Sequence, residues 1–411
     1  MDAVGLSFRF PTETITEGTT RIVVPRLGAF VKQSSDYAPS KAPVFYNPAM
    51  ALNRDLAVVA LQTYQRTVGR ELVTCEPLAG CGVRGVRLAN EVEGVRKVVM
   101  NDISPEAAKL AEHNARLSDL AEKTEVANQD ANLLLSRYAA PRKRFDYIDI
   151  DPFGSPVPYL DSALRAVRDG GLVALTATDM APLCGVHPKA CIRKYGGKPL
   201  RTEYCHELAV RLLLNCLAMQ AAKYDIGVQP VFSYSDYNYV RVYATVNYGA
   251  KQADRSLEHT GYVLHCFSCF HRELAKGVTA SFRADCPECG SRLQMAGPLW
   301  LGGLWNVEFC MRMRDAVRHG SLQDKVKISH MLSLIVGEAE APFTYYVIDK
   351  ICDKFGLPVP PLSKVSAELR KSGYQAVRTH FSSKGVRTDA PESAVREAIR
   401  RQLKPVSEKR E

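Results

Sequence analysis

Leu72-Val73-Thr74-Cys75-Glu76-Pro77-Leu78-Ala79-Gly80-Cys81-Gly82-Val83-Arg84-Gly85 is the stretch whose reading decides the fold. It opens as a short β-forming run, passes through three glycines and continues into a helical pattern. Glycines let the backbone turn sharply and approach a ligand closely, and a helix start offers unpaired N–H groups. Read literally, Gly80, Gly82 and Gly85 satisfy GxGxxG, the dinucleotide fingerprint, and Asp102 ends the next strand where a ribose-binding acid is expected. Outward from this point, short apolar runs alternate with helical stretches, the pattern of parallel βα units. Strands are predicted at 72–76, 97–102, 124–128, 145–150 and 172–178. A helix opens at Ser104-Pro105-Glu106 with an N-cap and a Pro in its first turn, and a longer one spans 201–223. Two more strands, 227–235 and 239–246, should pair antiparallel through the turn Asp236-Tyr237-Asn238.

Five parallel strands followed by an antiparallel pair resembles the strand sequence of class I methyltransferases, so an α/β, Rossmann-like domain is expected. The glycine loop is also similar to the (D/E)PxAGxG loop of amino-methylating methyltransferases, with Glu76 in the acidic position. That likeness implies S-adenosylmethionine as cofactor. Its methionine end would lie near Glu76, its body over Gly80 and Gly82, its ribose on Asp102 and its adenine by Asp130 and Ala131. Asp102 would serve NAD equally well, so an NAD-dependent oxidoreductase stays open. So does a loop in which the glycines only make a tight turn.

The fourth strand ends Asp149-Ile150-Asp151-Pro152-Phe153-Gly154, at the carboxyl edge where open α/β sheets bind ligands. An exocyclic amine is a poor nucleophile because its lone pair is delocalised into the base. A carboxylate accepting its hydrogen bond, helped by a backbone carbonyl, returns electron density to the nitrogen. An aromatic face then holds the base flat. Asp151, the Pro152 carbonyl and Phe153 supply these three parts. The stretch resembles the (D/N)PP(Y/F) motif of amino methyltransferases, with the aromatic one residue early. A strand-terminal turn is the alternative, since Asp, Pro and Gly are turn residues. Thr178-Asp179, ending the fifth strand, faces the same edge, where Asp179 either shapes the pocket or caps the strand.

Farther along, Cys266, Cys269, Cys286 and Cys289 form two CxxC pairs with sixteen residues between them. This is zinc-ribbon or treble-clef spacing, with four soft ligands and no open position, so the site should hold structure rather than do chemistry. The segment 262–295 is expected to separate a catalytic domain, 1–260, from a C-terminal domain, 261–411. After 304 the chain reads mostly helical, with a Pro-rich break at 357–362. On a last helix from 391 to 403, Val395, Ile399 and Leu403 share one face while Arg396, Arg400, Arg401 and Lys404 lie toward the others.

With 411 residues, 46% of them hydrophobic and 24% charged, the chain has material for two or three cored domains. No apolar run approaches a bilayer span, and Met1 to Arg9 lack the pattern of a secretory signal, so a cytoplasmic protein is expected. Its twelve cysteines then belong to a reducing compartment. Lys and Arg outnumber Asp and Glu by 54 to 44, a net charge of +10 that suits a polyanionic partner such as nucleic acid.

Several longer segments carry a narrower likeness: Val44-Phe45-Tyr46-Asn47-Pro48 with Asn53-Arg54-Asp55, the DPFGSP stretch at 151–156, Thr178 to Gly185, Arg193-Lys194-Tyr195-Gly196, and Arg378-Thr379-His380-Phe381 through Pro391. Together they resemble the tRNA guanosine-26 N2-dimethyltransferase family, in its compact archaeal-type form. The resemblance implies methylation of the N2 amine of a tRNA guanine, with one or two methyl groups added in all. It implies that Arg54, Arg84, Asp102, Asp130 and Ala131 bind the cofactor, that Phe45 and Phe153 stack on the base, and that Asp151 takes the amine hydrogen bond. The ribbon and the basic C-terminal domain would grip tRNA while the base is flipped out. From the residues alone, core packing is the default for Phe45, and Arg54 and Arg84 read as solvated or ion-paired helix residues. An RNA cytosine-C5 methyltransferase with Cys184 as nucleophile and a non-enzymatic zinc-ribbon RNA-binding protein are the other readings.

Overall fold

The structure is a computed structural model describing residues 8–31, 38–236 and 238–403. Residues 1–7 of the N-terminal reading, Tyr237 of the hairpin turn and Lys404 of the last helix lie outside them. The catalytic half contains β1 (Thr12–Glu17), β2 (Thr20–Pro25), β3 (Leu72–Glu76), β4 (Val95–Asn101), β5 (Thr124–Ala127), β6 (Phe145–Ile150), β7 (Val167–Ala177), β8 (Ile226–Asp236) and β9 (Tyr239–Tyr248). Seven of these form one sheet in the order β5-β4-β3-β6-β7-β9-β8. Every pairing from β5 to β7 is parallel, and β9 runs antiparallel to both neighbours. This is the class I methyltransferase arrangement expected from the strand sequence. Strand β7 begins at Val167 rather than 172, because Phe145 pairs with Val167 across a register irregularity. The Asp169-Gly170-Gly171 run, which reads as a turn, is therefore carried inside the strand.

The helices that matter for the site are α1 (Ala51–Val68), α2 (Val83–Glu91), α3 (Pro105–Leu117), α4 (Ala131–Arg137) and α5 (Cys205–Ala222). Helix α3 starts as its sequence suggests: Ser104 Oγ accepts the Ala107 N–H at 3.3 Å, with Pro105 in the first turn. One face of the sheet is packed by α5 and its neighbours. The other is packed by α1, α2 and α3, and α1 is buried continuously from Leu52 to Tyr64. Such a helix must partner its polar residues internally: Arg54 and Asp55 are ion-paired, and Asn53 is bonded through its Oδ1. Hairpin β1-β2, not foreseen from the sequence, supplies part of what they need.

Residues 260–300 form an antiparallel sheet in the order β11-β10-β12, from β10 (Thr260–His265), β11 (Arg272–Lys276) and β12 (Gln294–Trp300). The helical remainder divides between two cores. Helices α6 (Val307–His319) and α7 (Lys325–Glu338) send Phe309, Met313, Ile328 and Leu332 into the core shared with α1. A separate small core, with Ile351, Val365, Leu369, Val386, Val395 and Ile399, belongs to the C-terminal unit. Its sheet runs β13-β15-β14, from β13 (Tyr346–Val347), β14 (Val377–Arg378) and β15 (Gly385–Arg387). The apolar face predicted for the last helix, Glu392–Leu403, is the face that is buried.

A buried charge joint ties this unit to the catalytic half. Arg387, 1% exposed, places Nη2 2.9 Å from Glu207 Oε2 on α5, and its Nε donates at 2.5 Å to Glu338 Oε2 on α7. Glu338 Oε1 lies 2.6 Å from His380 Nδ1. Burial alone would push the Glu338 carboxyl up, but His380 and Arg387 hold it at about 2. Among the described residues no helix is long and apolar enough to cross a membrane.

Candidate active site

The carboxyl ends of β3, β4, β5, β6 and β7 meet at one edge, and the residues singled out in the sequence converge there from separate segments. After β3, Gly80 has φ +55° and donates its N–H to Asp102 Oδ2 at 2.8 Å. Gly82 and Gly85 answer to packing: a Cβ at Gly82 would lie 2.7 Å from Ala111 Cβ, and one at Gly85 would lie 2.5 Å from Met100 Sδ. Asn101, at the end of β4, donates to the carbonyls of Pro77 and Gln129 at 3.0 Å each, so it clamps the loops after β3 and β5 together. Asp102 Oδ1 accepts the Ser104 N–H at 2.9 Å. Asp130 caps α4 by accepting the Leu133 N–H at 3.0 Å, and Ala131 is the buried first residue of that helix. Ile103 stands 70% exposed one residue beyond Asp102, a large apolar side chain at the mouth of this edge that the sequence reading missed. Its position directly after Asp102, the acid expected to bind a ribose, is the signal that could have found it.

Beneath the edge lies a network of buried charge. Asp149, fully buried at the end of β6, accepts from Arg84 Nη1 at 2.5 Å, Arg241 Nη2 at 2.6 Å and Tyr147 OH at 2.6 Å. Burial would raise its carboxyl, but Arg241 and Arg84 hold it below the usual carboxylate range. Arg84 Nη2 donates to Asn53 Oδ1 at 2.9 Å and also to the Asp151 carboxylate. One guanidinium thus joins the buried Asp149 to the more exposed Asp151, whose side chain is 16% exposed. Arg241 has a second hold, donating from Nε to Tyr243 OH at 2.8 Å. Neither Asp149 nor Arg241 was assigned a role from the sequence, because residues on β6 and β9 meet only across the folded sheet.

Glu76 lies at the other end of this network and titrates the other way. Burial raises its carboxyl to about 8, although Arg84 Nε is 3.7 Å away and the Gly85 N–H donates to it at 2.9 Å. Arg84 Nε and Asn53 Nδ2 are buried and have no hydrogen-bond partner among the described residues. Buried donors without a partner are costly, which marks these two as groups suited to a ligand acceptor.

Arg54 sits in a bidentate pair with Glu17 of β1, at 2.6 Å to each carboxylate oxygen, and also donates to the Asn47 carbonyl at 3.1 Å. Arg87 joins the same Glu17 at 2.9 Å and Asp55 at 2.7 Å. The hairpin therefore supplies the countercharge for α1 and α2, and Arg54 is engaged with protein groups. Its pull on the Asn47 carbonyl bears on the segment that carries Phe45.

Phe45 and Phe153 are brought together, with ring centroids 4.5 Å apart and planes at 84°. Phe153 is 73% exposed, on a turn where Gly154 donates its N–H to Thr178 Oγ1 at 2.7 Å and accepts the Thr178 N–H at 2.9 Å. Asp179 accepts from Tyr195 OH at 2.5 Å and Lys194 Nζ at 2.8 Å and makes no side-chain cap bond, so it is neither the cap nor a free pocket carboxylate. The neighbouring Cys205 thiol and burial push the Cys184 thiol well up, which disfavours the nucleophilic thiolate.

In the ribbon, the sulfurs of Cys266, Cys269, Cys286 and Cys289 all lie within 4.8 Å of one another. Cys266 and Cys289 are 3.5 Å apart, and Cys269 and Cys286 are 3.6 Å apart. A tetrahedron of thiolates at about 2.3 Å from zinc has sulfurs roughly 3.8 Å apart, so the donor set fits that ion. The two turns match: Phe270 donates to the Cys266 carbonyl and Gly290 to the Cys286 carbonyl, each at 2.9 Å. Both residues are left-handed, with φ +60° and +70°.

A family model described as N2,N2-dimethylguanosine tRNA methyltransferase matches residues 18–400. The chain belongs to this family. Members of the N2,N2-dimethylguanosine tRNA methyltransferase family that it is similar to include the tRNA (guanine(26)-N(2))-dimethyltransferase of Methanobrevibacter smithii, 41% identical over 95% of this chain and 98% of that one. The tRNA (guanine(26)-N(2)/guanine(27)-N(2))-dimethyltransferase of Aquifex aeolicus is 36% identical over 92% of this chain and 93% of that one. Among solved structures, Trm1 from Pyrococcus horikoshii in complex with S-adenosyl-L-methionine superposes with a TM-score of 0.82 at 33% identity, covering 94% of this chain and 99% of that chain. The chain is a tRNA (guanine-N2)-methyltransferase. The cytosine-C5, NAD-dependent and non-enzymatic readings are set aside, in keeping with the Cys184 environment.

Proposed function

We propose that the enzyme transfers one or two methyl groups from S-adenosylmethionine to the N2 amine of guanosine 26 in cytoplasmic tRNA. Asp151 is the catalytic carboxylate, and a Zn²⁺ on Cys266, Cys269, Cys286 and Cys289 holds the ribbon. The observation that carries this reading is the placement of Asp151 at the tip of β6, steadied by Arg84, close in sequence to Phe153 and its partner Phe45.

The cofactor fits the edge described above. Glu76, neutral when alone, suits a ligand ammonium, and the unpartnered donors Arg84 Nε and Asn53 Nδ2 suit a ligand carboxylate. Asp102 would hold the ribose, Asp130 and Ala131 the adenine, and Gly80 and Gly82 would let the loop approach. Arg54 would act through the Asn47 carbonyl rather than by direct contact. When bound, S-adenosylmethionine supplies the methyl group.

Asp151 accepts a hydrogen bond from the guanine amine, the Pro152 carbonyl takes the second, and electron density returns to N2 as it attacks. Two rings that sandwich a base must stand about 7 Å apart, twice a van der Waals contact. Phe45 and Phe153 are closer than that, so the exposed Phe153 must swing outward as the base enters. The segment 261–411 would grip the tRNA body, using the ribbon and the basic last helix.

Incubation with labelled S-adenosylmethionine and unmodified tRNA transcript, followed by nucleoside analysis, should yield N2-methylated guanosine at position 26. Asp151→Ala should lower turnover by about 10²–10³-fold while cofactor binding persists. Full turnover in that variant, or a methylated cytidine as product, would overturn the assignment.

A further inference from the structure

One other group of thiol and imidazole ligands converges among the described residues. Cys184 lies in the turn after β7, Cys205 and His206 open α5, and the ligand atoms of all three lie within 4.8 Å of one another. The Cys184 and Cys205 sulfurs therefore stand side by side, each within reach of one ion. His206 has Nδ1 3.2 Å from Ser235 Oγ at the end of β8, so its ring is oriented by a hydroxyl. That is the arrangement in which metal-bound imidazoles are usually held.

We propose that Cys184, Cys205 and His206 form a second metal site, taking a thiophilic cation, Zn²⁺ in the first instance, with the fourth position open to water. Two thiolates and a neutral imidazole are a donor set for zinc, and a three-ligand set differs from the closed four-thiolate ribbon in leaving room for an outside ligand. On binding, the two thiols lose their protons to solvent and two sulfur–metal bonds form.

The site is preorganised by contacts that owe nothing to a metal. Gly185, next to Cys184, has φ +87°, and a Cβ there would lie 2.8 Å from Arg201 N, so the turn is pressed against the segment that leads into α5. Glu207, next to His206, is fixed in the buried joint with Arg387. The three ligands therefore come from two segments already locked together, which lowers the reorganisation that capture of an ion requires. The segment bearing Cys184 begins at Thr178, which is bonded to Gly154 in the turn that carries Phe153.

The test is a metal count on the full-length protein, loaded and then dialysed against buffered free Zn²⁺. Two equivalents per chain are expected in the wild type, falling to one in Cys205→Ser and to one in His206→Asn. Cys286→Ser in the ribbon should also lose one and keep the other. Because Cys205→Ser and His206→Asn alter the start of α5, Cys184→Ala, outside the helix, is read alongside them. Cobalt-loaded wild type minus Cys184→Ala should give a difference spectrum with thiolate charge-transfer and tetrahedral d–d bands. A single equivalent in the wild type, unchanged in these variants and without a difference band, overturns the proposal. So does mass-spectrometric recovery of Cys184 and Cys205 as a disulfide without metal uptake. The count does not depend on methyl transfer, so its failure is distinct from failure of the proposed function.

Discussion

The carboxyl edge of the sheet and the zinc ribbon both hold a few side chains at one point, and they do so by opposite means. At the edge, Asn53, Glu76, Arg84, Asp149, Asp151 and Arg241 come from separate segments and are fixed by ion pairs inside a large core. In the ribbon, the four cysteines come from two local turns, and the apolar cluster around them has Leu264 and Leu293 beside buried Cys266 and Cys286, with half-buried Cys269 and Met295 packed against it. A site built from long-range contacts is stable when empty. A site built from local turns over so little core needs its ion.

The largest effect should therefore come from the smallest region. Metal chelation or Cys286→Ser removes a binding free energy on the order of 10 kcal/mol in isolated zinc modules. Amide exchange should show protection lost across 266–293 while α1 and the central sheet keep theirs. Uniform loss through both regions would erase the contrast.

Next in size, Arg241→Met leaves Asp149 buried with Arg84 as its one cationic partner, at a cost of about 3–5 kcal/mol in global stability. Urea unfolding should register it, and Asp149→Asn in the same chain should recover part of the loss. Phe153→Ala touches no core and should leave the unfolding midpoint in place. Steady-state kinetics should show kcat/KM reduced by the worth of one stacked base, about 1–3 kcal/mol.

The smallest effect is a proton count. A carboxyl raised to about 8 from its ordinary 4.5 binds its proton more tightly in the folded than in the unfolded chain, so Glu76 costs the unliganded enzyme stability as pH rises between those values. If cofactor ammonium pairs with this carboxylate, binding at pH 7 releases up to one proton, and the release fades once pH passes 8. Calorimetry in buffers of differing ionisation enthalpy measures it. A buffer-independent enthalpy at pH 7, or the same release in Glu76→Gln, would refute the pairing.

The same contrast explains what could be read in advance. The ribbon was legible because metal-ligand spacing is a local property, and the strand order because each βα unit announces itself by periodicity and turn residues. The tips of β3, β4 and β6 were legible as places where Glu76, Asp102 and Asp151 would stand. The partners of those residues were not. Nothing near Asp149 in the chain points to Arg241, which lies on an antiparallel strand, and nothing near Arg54 points to Glu17. Hairpin β1-β2 carries a two-residue turn and alternating residues that could have been read as strands. Helices α6 and α7 looked like the start of a second domain because amphipathicity says that a face is buried, not against what.

Arg387 remains as the feature with the widest reach. Its guanidinium is encased by Trp305, Tyr345 and Phe381, with ring centroids 5.6 Å, 5.8 Å and 5.7 Å away, and it is anchored to α5 and α7 together. A module fastened in this way cannot pivot without exposing an unpaired charge to its own interior. An RNA stem seated on it would be offered to the sheet edge at one constant span, as between the jaws of a caliper. Which nucleotide arrives at Asp151 then becomes a question of length along the stem rather than of the letters flanking it.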